Sequence, residues 1–546
     1  MLKVRTLFLV VALALLAPAF AATTSARQDA GMIDQLDFGD FGGGSNPQAN
    51  FNPYIPNVLA AQDWLFEPLM VVNGYSCEVV PWLATEFQWP DPQTLNFTIR
   101  DGVTWSDGTP FTANDVVFTF KLFQSFAPLD QNQLWPYLND VTANGNVVTF
   151  SFKEPAGALF NKIVDRKILP QHLWQDVEDP VTYLNEEPIG TGPFTLENFN
   201  GEELSMVRNP NYWQADKIKV ERLVYTKGQG DAQIDQLRLS EGRFDWAEQF
   251  MPDVENSFVA KDPETNHYWF PAGGSVSLML NHTEAPMNDV NFRRGIAYAF
   301  DRQAMADRAA FGYSGPASQT FLTLPNQEVY LDESIPNQGF IPYDPAMAQQ
   351  VLAEGGYVLD GDELKGPDGE RVSVTFSVQS EWTDYVQAAE IVRENLEAIG
   401  IEVNVESRNP DLVGEDRKAG IFDMTFDAPG GGCNIYDGFY YTFANADAPV
   451  AVGEATDNNW IRWQDPESHD LVNQLRAATD IEAQKPIVYG LQQIMVNELP
   501  FIPLWYAPRW LEYQTDKATG FPSAENPYAG PSDKLLIMTS LTPTQA

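Results

Sequence analysis

The sequence is poor in basic residues. It has 33 Lys and Arg against 75 Asp and Glu in 546 residues, which gives a formal net charge of −42 at pH 7. Such a surface repels phosphates and anionic lipids, so neither a nucleic acid nor a membrane surface is an expected partner. The same charge also serves solubility in a salty medium, so it indicates no ligand by itself.

Long hydrophobic runs are missing after the first residues. Leu7–Ala17 is apolar, but it is too short for the ~20 residues of a membrane-spanning helix. Lys3 and Arg5 precede this run and Ala19-Phe20-Ala21 follows it, a pattern typical of a signal peptide. We therefore expect residues 1–21 to be removed, leaving a soluble protein that is periplasmic or otherwise extracytoplasmic.

Cysteine occurs only at Cys77 and Cys433. No cysteine lies near the predicted cleavage site, which excludes a lipid anchor on a new N-terminal cysteine. In an oxidising compartment two thiols can pair. Because the two lie far apart in the sequence, a disulfide and a pair of buried thiols both remain open.

Motifs that carry enzyme chemistry are absent as well. The four histidines show no metal-ligand spacing, and neither a G-x-S-x-G elbow nor a phosphate-binding G-x-x-x-x-G-K-[ST] loop occurs. A secreted glycosidase needs only two carboxylates about 5–9.5 Å apart, so the 75 acidic residues leave it as a remote alternative. We therefore expect a protein that is not an enzyme and that holds no metal and no cofactor.

The length exceeds what one hydrophobic core can hold, so two or three domains are expected. Val372–Val378 alternates as a strand, Thr383–Ala398 has helical periodicity, and Ile401 begins another alternating strand. Such a βαβ unit implies a parallel sheet covered on both faces, an α/β arrangement. Further predicted elements are a strand over Met32–Asp40, helices over Val58–Met70, Glu467–Ala478 and Ile481–Glu498, and a strand over Pro500–Tyr506.

The run from Pro81 to Phe120, PWLATEFQWPDPQTLNFTIRDGVTWSDGTPFTANDVVFTF, carries the most specific pattern. Leu95–Ile99 alternates apolar with polar residues, as a half-buried strand does. Thr112 and Asp115 have the spacing of a capping box, which predicts that a helix begins directly after Thr112.

This run resembles the extracytoplasmic solute-binding proteins of the peptide/nickel/oligosaccharide ABC-importer family, family 5. The family pattern R-x-G-V-x-W-x-D-G-x-P-F-T-A-x-D-V-x-F-[ST] is met from Arg100 to Thr119, with Ser106 in place of the usual His. GTGPF at Gly190–Phe194 and RNPNYW at Arg208–Trp213 follow at the family's spacing. The chain is therefore identified as a member of this family over nearly all of its mature length.

The resemblance implies an α/β fold of the periplasmic-binding-protein type II kind, with two lobes around a hinge and an extra third domain. Domain I is expected at residues 22–70, 191–280 and 506–546, domain II at 71–190, and domain III at 281–505. The resemblance also implies a monomer that closes on its ligand and delivers it to the transmembrane subunits of an ABC importer.

The stretch from Phe426 to Trp463 decides the ligand class. Its three consecutive glycines let the backbone approach a ligand closely, and aromatic planes beside amides suit the apolar faces and hydroxyl edges of a sugar. Peptide-binding relatives carry an Asp that meets the ligand's α-ammonium, and an ungapped alignment puts Gly432 at that position. Asp427 or Asp437 can replace this Asp if the loop is shifted, which keeps a peptide ligand open.

Asn459-Trp460-Ile461-Arg462 resembles the N-W-x-R stretch of the family's β-glucoside oligosaccharide binders. Asn459 offers an amide to vicinal hydroxyls and Trp460 offers a stacking plane, whereas Arg462 can bind hydroxyls or pair with Asp465. We predict capture of an oligosaccharide, of β-linked glucose or a related sugar, with an oligopeptide as the alternative. The residues predicted to bind the ligand are Trp64, Trp246, Trp269, Trp382, Gly431, Gly432, Asn434, Tyr436, Asn459, Trp460 and Arg462.

Overall fold

A computed structural model describes residues 31–42, 47–228 and 232–545. The predicted signal peptide, residues 1–21, lies outside these described residues. Within the described ranges, no helix combines the length and the apolar character that crossing a membrane requires.

The described strands are β1 (Leu36–Phe38), β2 (Met70–Val72), β3 (Val79–Pro81), β4 (Ala84–Asp91), β5 (Thr94–Ile99), β6 (Leu138–Asn144), β7 (Val147–Phe152), β8 (Phe194–Phe199), β9 (Glu203–Arg208), β10 (Arg222–Thr226), β11 (Trp246–Ala247), β12 (Asn266–Tyr268), β13 (Ala272–Leu280), β14 (Val358–Asp360), β15 (Glu363–Lys365), β16 (Ser373–Gln379), β17 (Glu402–Arg408), β18 (Met424–Asp427), β19 (Phe501–Pro508), β20 (Glu512–Gln514), β21 (Ala518–Thr519) and β22 (Thr542–Pro543). The described α-helices are α1 (Gln62–Leu65), α2 (Ala113–Ser125), α3 (Phe160–Val164), α4 (Gln171–Trp174), α5 (Ala232–Ser240), α6 (Val254–Ser257), α7 (Val290–Ala299), α8 (Arg302–Arg308), α9 (Pro345–Glu354), α10 (Thr383–Glu397), α11 (Pro410–Ala419), α12 (Ile435–Phe443), α13 (Pro466–Ala477), α14 (Ile481–Glu498) and α15 (Lys534–Met538).

Three larger sheets organise these elements. A seven-stranded sheet has the order β12-β20-β11-β1-β10-β9-β8, and a four-stranded sheet has the order β4-β5-β7-β6. A five-stranded sheet has the order β17-β16-β18-β13-β19, in which β16 pairs in parallel with β17 and β18. Sheets and helices alternate along the chain, so the α/β fold class is confirmed.

The chain forms two lobes. Lobe A comprises residues 31–268 and 512–545 of the described chain, with the seven- and four-stranded sheets, and lobe B comprises residues 272–508, with the five-stranded sheet. The backbone crosses between the lobes twice, at residues 269–271 and 509–511. These crossings lie side by side, because the Arg509 amide donates to the Pro271 carbonyl (2.8 Å) and the Trp269 amide donates to the Leu511 carbonyl (2.8 Å).

Strand β13 corrects the predicted boundary between domains I and III. The prediction ended that part of domain I at Leu280, but β13 pairs with β18 and β19 inside the five-stranded sheet. The strand therefore belongs to lobe B, and the change of lobe falls near Pro271. The remaining predicted domain boundaries stay a prediction.

Most predicted local elements are confirmed. The βαβ unit is present as β16, α10 and β17, α13 and α14 lie where helices were predicted, and α2 begins with the Thr112–Asp115 capping box. The helix predicted over Val58–Met70 is wrong for most of its length, because only α1 is helical there. Glu67 precedes Pro68, and a residue before proline is disfavoured in the helical region.

Glu67 connects three segments of lobe A. Its Oε1 accepts hydrogen bonds from Tyr212 Oη (2.8 Å) and from Trp213 Nε1 (3.2 Å), both in the RNPNYW motif, and from Trp82 Nε1. The side chain is fully buried. Burial raises the pKa of this carboxyl to about 7 from its usual 4.5, although hydrogen bonds from Tyr212, Thr191, Trp82 and Trp213 act to lower it.

The raised pKa of Glu67 predicts a pH-dependent stability. A carboxyl that binds its proton more tightly in the folded state stabilises fully below about pH 4.5, and this contribution is lost as the pH rises through about 7. The loss amounts to about 3 kcal/mol. We expect Glu67→Gln to flatten the decline of the unfolding free energy over this range, measured by denaturant titration at several pH values.

The matched control is Glu86→Gln, which neutralises an exposed carboxylate of the same lobe. This variant should keep the wild-type slope. A wild-type slope in Glu67→Gln itself would mean that the buried carboxyl titrates at its ordinary pKa in the folded protein.

Candidate functional site

Four neighbouring cavities form what we call the interlobe cleft. The aromatic cavity (≈ 1110 Å³) is lined by Phe250, Trp382, Asp384 and Trp510 with three glutamines, and the glycine-loop cavity (≈ 630 Å³) by Gly430, Gly432, Asn434, Asp437 and Tyr441. The ion-pair cavity (≈ 400 Å³) is lined by Asp63, Lys167, Asp533 and Lys534, and the linking cavity (≈ 230 Å³) by Tyr225, Trp246 and Glu248. The aromatic and glycine-loop cavities have walls from both lobes, whereas the ion-pair and linking cavities are lined by lobe A alone.

Neighbouring cavities share wall residues, so the four cavities adjoin one another. The glycine-loop and ion-pair cavities share Val72, Asp165 and Arg166. The ion-pair and linking cavities share Lys534, and the linking and aromatic cavities share Gln249. The row of cavities therefore runs from the aromatic cavity to the glycine-rich loop.

Aromatic rings from both lobes and from a crossing meet in the aromatic cavity. Trp382 directly precedes α10 of lobe B and is 46% exposed. Trp510 lies in the second crossing, and its ring centroid is 5.4 Å from that of Phe250 of lobe A. Trp382 and Trp510 therefore reach the same cavity from different segments, one in lobe B and one in a crossing.

Glutamine amides supply the polar edges of the aromatic cavity. Gln236 donates its Nε2 to the Phe250 carbonyl (3.0 Å), and Gln249 donates its Nε2 to the Asp235 carbonyl (3.3 Å). Among the described residues, neither amide oxygen has a hydrogen-bond partner, so each can accept from a ligand hydroxyl. Burial raises the pKa of the nearby Asp384. The described lining contains no Lys or Arg.

The glycine-rich loop lies directly against β13. A Cβ on Gly431 would come within 2.1 Å of the Gly274 backbone, and one on Gly274 within 2.6 Å of the Gly430 carbonyl oxygen. Arg509 Nη2 donates to the Gly431 carbonyl (3.1 Å). The glycines are therefore needed for close packing of the loop on the sheet, and this packing fixes the wall of the glycine-loop cavity.

Polar contacts join this loop to lobe A. Asn434 accepts from the Tyr436 amide at the start of α12, and its Nδ2 donates to the Ala158 carbonyl of lobe A (3.0 Å). Lys162 of lobe A forms an ion pair with Asp437 of lobe B (3.2 Å). The lobes are thus in contact along this side of the cleft.

In the ion-pair cavity, Asp63 lies between two ammonium groups. Its carboxylate is 3.1 Å from Lys534 Nζ and 3.5 Å from Lys167 Nζ. Burial acts to raise the pKa of Asp63, but the two cations outweigh it and hold the pKa below its ordinary value. Lys534 keeps its charge, because its attraction to Asp63 and other acidic groups outweighs burial and raises its pKa.

A disulfide between Cys77 and Cys433 joins the lobes, with the two Cα atoms 5.2 Å apart. The sequence left pairing and two buried thiols open, and the structure shows the pair. Cys77 lies between β2 and β3 of lobe A, and Cys433 lies in the glycine-rich loop of lobe B. The bond is therefore a third covalent connection between the lobes, beside the two crossings.

The structure brings together some of the predicted ligand-binding residues and separates others. Trp382, Gly432 and Asn434 line the cleft, as does Trp246, which is otherwise buried. Trp64 is fully buried and donates to Tyr225 Oη (2.8 Å). Trp269 lies in the first crossing and packs its ring against Tyr75 of lobe A. Gly431 packs on Gly274, and Tyr436 is buried and stacks on Tyr440.

The Asn459, Trp460 and Arg462 side chains bind the chain itself. Asn459 is buried, donates to the Trp463 carbonyl (2.9 Å) and accepts from the Trp463 amide (2.9 Å). Arg462 donates to the carbonyls of Lys418 and Glu454 rather than pairing with Asp465. Trp460 donates to the Thr456 carbonyl. Ligand contact by these three residues stays a prediction, and their hydrogen bonds to the chain itself do not support it.

Sequence reasoning missed Phe250, Gln236, Gln249, Trp510 and Arg166. A single Trp in an unpatterned segment such as Ala507–Leu511 gives no local sign of a cleft, because its position depends on where the chain crosses. The spacing of Gln233 and Gln236 on one helix was a usable sign, since residues three apart share a helix face.

A stability measurement separates the two roles open to Asn459. We expect Asn459→Ala to lower the unfolding free energy by about 1–3 kcal/mol, because it leaves the buried amide and carbonyl of Trp463 without partners. Ligand affinity should stay unchanged in titration calorimetry. The control Asn458→Ala removes a neighbouring amide whose contact is exposed, and it should change stability little. Intact stability with lost affinity would instead place Asn459 in the binding site.

The disulfide predicts that oxidation limits opening. The Cα atoms of a disulfide stay within roughly 4.4–6.8 Å, so the bond restrains rotation about the paired crossings. We expect the ligand-free Cys77→Ser/Cys433→Ser protein to have a larger radius of gyration in small-angle scattering than the oxidised wild type. Reductant should expand the wild type and leave the double variant unchanged. Equal radii for the oxidised wild type and the ligand-free double variant would contradict the restraint.

Comparisons with known proteins agree with this architecture. The family model described as "Bacterial extracellular solute-binding proteins, family 5 Middle" matches residues 78–449. Protein XP55 of Streptomyces lividans is 29% identical over 59% of this chain, a match that spans 58% of XP55, and the nickel-binding periplasmic protein of Escherichia coli K12 is 26% identical over 68% of this chain and 71% of its own.

A solved periplasmic oligopeptide-binding protein of an oligopeptide ABC transporter from Thermotoga maritima superposes with a TM-score of 0.85 at 24% identity, over 94% of this chain and 99% of its own. Its mannohexaose-bound form superposes with a TM-score of 0.78 at 25% identity over the same shares. The two-lobed fold and the match over residues 78–449 show that the chain belongs to the family 5 bacterial extracellular solute-binding proteins, the substrate-binding components of ABC importers.

Proposed function

We propose that this protein captures an oligosaccharide of β-linked hexoses in the interlobe cleft and presents it to the transmembrane subunits of an ABC importer. The observation that carries the proposal is the chemistry of the aromatic cavity. Three aromatic rings line a space of ≈ 1110 Å³, and its polar lining consists of three glutamines, two hydroxyl side chains and the carboxyl groups of Glu381 and Asp384. Rings bind the apolar faces of pyranoses, and amide oxygens accept from their hydroxyls.

The mannohexaose-bound Thermotoga maritima protein supports this proposal. That protein was solved with mannohexaose, a hexose oligomer, and its fold covers nearly the whole of this chain. The cavities that adjoin the aromatic cavity give an oligomer of this kind further room.

An oligopeptide is the alternative, because several relatives are named as peptide-binding proteins. A peptide needs a carboxylate for its α-ammonium, and Gly432 occupies the position where peptide binders carry it. Asp427 is already paired with Arg417 (3.1 Å) and accepts from Tyr441 Oη (3.0 Å). Asp437 is paired with Lys162 (3.2 Å). Both possible substitutes are therefore occupied, which favours the sugar.

Trp382→Ala tests the proposal most directly. Stacking on one aromatic ring is worth roughly 1–3 kcal/mol, so we expect oligosaccharide affinity to fall about five- to 150-fold. The melting temperature should change little, because Trp382 is exposed. The measurement is titration calorimetry with cello-, laminari-, xylo- and manno-oligosaccharides, after a thermal-shift screen that includes mixed peptides.

The control is Tyr343→Ala, which removes another exposed aromatic side chain of lobe B, outside the walls of the cleft. It should bind like the wild type. Stabilisation of the wild type by peptides alone would overturn the sugar proposal. Unchanged sugar binding by Trp382→Ala would show that the aromatic cavity is not part of the sugar-binding site.

A further inference from the structure

Arg166 lies at the boundary of two cavities of the cleft. It follows α3 of lobe A and lines both the glycine-loop cavity and the ion-pair cavity. Its backbone amide donates to the Ile163 carbonyl (3.2 Å), which ties it to the end of a helix whose Ile163 and Val164 side chains are buried. The position of the Arg166 backbone is therefore set by the packed core of lobe A.

The guanidinium of Arg166 has no protein partner. Within residues 31–42, 47–228 and 232–545, it makes no hydrogen bond and no ion pair, and its Nε is buried without a partner. Of the five N–H donors of this guanidinium, the Nε–H is buried without a partner among the described residues, and a buried donor that stays unpaired costs its desolvation. The side chain as a whole is partly exposed. Such a group favours a partner that enters the cleft.

The other cations of these two cavities are satisfied. Lys162 pairs with Asp437 (3.2 Å), and both Lys167 (3.5 Å) and Lys534 (3.1 Å) pair with Asp63. The whole chain has 75 acidic residues for 33 Lys and Arg, so carboxylates are plentiful. Arg166 lines the cleft but, unlike these three lysines, has no carboxylate partner in the described part of the chain. This difference indicates that its partner is a group of the ligand.

We propose that Arg166 is a subsite for a carboxylate of the ligand, an inference that rests on the proposed function and adds acidic character to the oligosaccharide. The planar fork of a guanidinium matches a carboxylate through two parallel N–H···O bonds. The adjoining cavities place Arg166 and Trp382 along one row, at which a single extended chain can bind. Two sources carry this chemistry: a hexuronate unit of an oligosaccharide and the C-terminus of a peptide. The hexuronate is the source that agrees with the aromatic cavity.

Asp165 lines the same two cavities as Arg166 but does not neutralise its charge through an ion pair. Its side chain is exposed, and in the described part of the chain it forms no ion pair with Arg166. An exposed carboxylate is screened by water and salt, whereas the buried Nε of Arg166 is not. Asp165 is left to accept from ligand hydroxyls beside the carboxylate.

A matched pair of sugars tests the subsite. β-1,4-Mannohexaose and β-1,4-hexamannuronate differ only at C6, where a hydroxymethyl group is replaced by a carboxylate. In titration calorimetry near physiological salt, we expect the wild type to bind the uronate roughly ten- to 100-fold more tightly, as a charge-assisted hydrogen bond implies. Arg166→Gln should abolish this preference, so that the two sugars bind with similar affinity. Arg166→Lys should restore part of the preference.

The control is Arg371→Gln, which removes one positive charge from the exposed surface of lobe B. Because it changes the net charge equally, it reports any long-range effect on the anionic sugar, and it should keep the wild-type preference. The subsite is overturned if the wild type binds both sugars equally or if Arg166→Gln still prefers the uronate. In those cases mannohexaose binding would leave the proposed function standing.

A second pair of probes separates the two sources of the carboxylate. These are one peptide with a free C-terminus and the same peptide amidated. Loss of a preference for the free peptide in Arg166→Gln, with no binding of either sugar, would keep the carboxylate subsite and overturn the sugar function. Failure of all four probes to bind would overturn both the carboxylate subsite and the proposed function.

Discussion

The paired crossings between the lobes are the constraint on which the rest of the structure depends. β13 and β19 lie next to each other in the five-stranded sheet and leave it together, so the hydrogen bonds at Pro271 and Leu511 continue their pairing into lobe A. The aromatic and glycine-loop cavities have walls on both sides of this connection, and Trp510, which lies in the connection, lines the aromatic cavity.

The cleft combines two kinds of chemistry along one path. At the end with Trp382 and Trp510, recognition depends on flat apolar surfaces and amide oxygens, which suit many hydroxylated ligands. At the end with the glycine-rich loop, recognition depends on charges that are mostly neutralised within the protein. The first kind of surface gives affinity that tolerates variation in the sugar, and the second gives selectivity, because a mismatched charge there is costly.

Sequence alone predicted the fold and the family better than the binding surface. The βαβ unit and the capping box before α2 depend on local periodicity, which a sequence displays directly. The importance of the Gly430–Gly432 stretch was also predictable, although its glycines serve packing on β13 as well as the cavity wall. Asn459 shows the limit, because an amide that binds its own backbone and an amide that binds a sugar have the same sequence pattern. Trp510 shows the converse, since only the position of the crossing places it in the cleft.

The disulfide also has a consequence for the order in which the protein matures. Its cysteines are separated by 356 residues, so Cys77 emerges during synthesis and export long before its partner. In the folded protein the bond holds the glycine-rich loop of lobe B against the segment between β2 and β3 of lobe A. Until Cys433 has been made and meets it, Cys77 is an unpaired thiol. The lobes can therefore be joined covalently at this point only late in the synthesis of the chain.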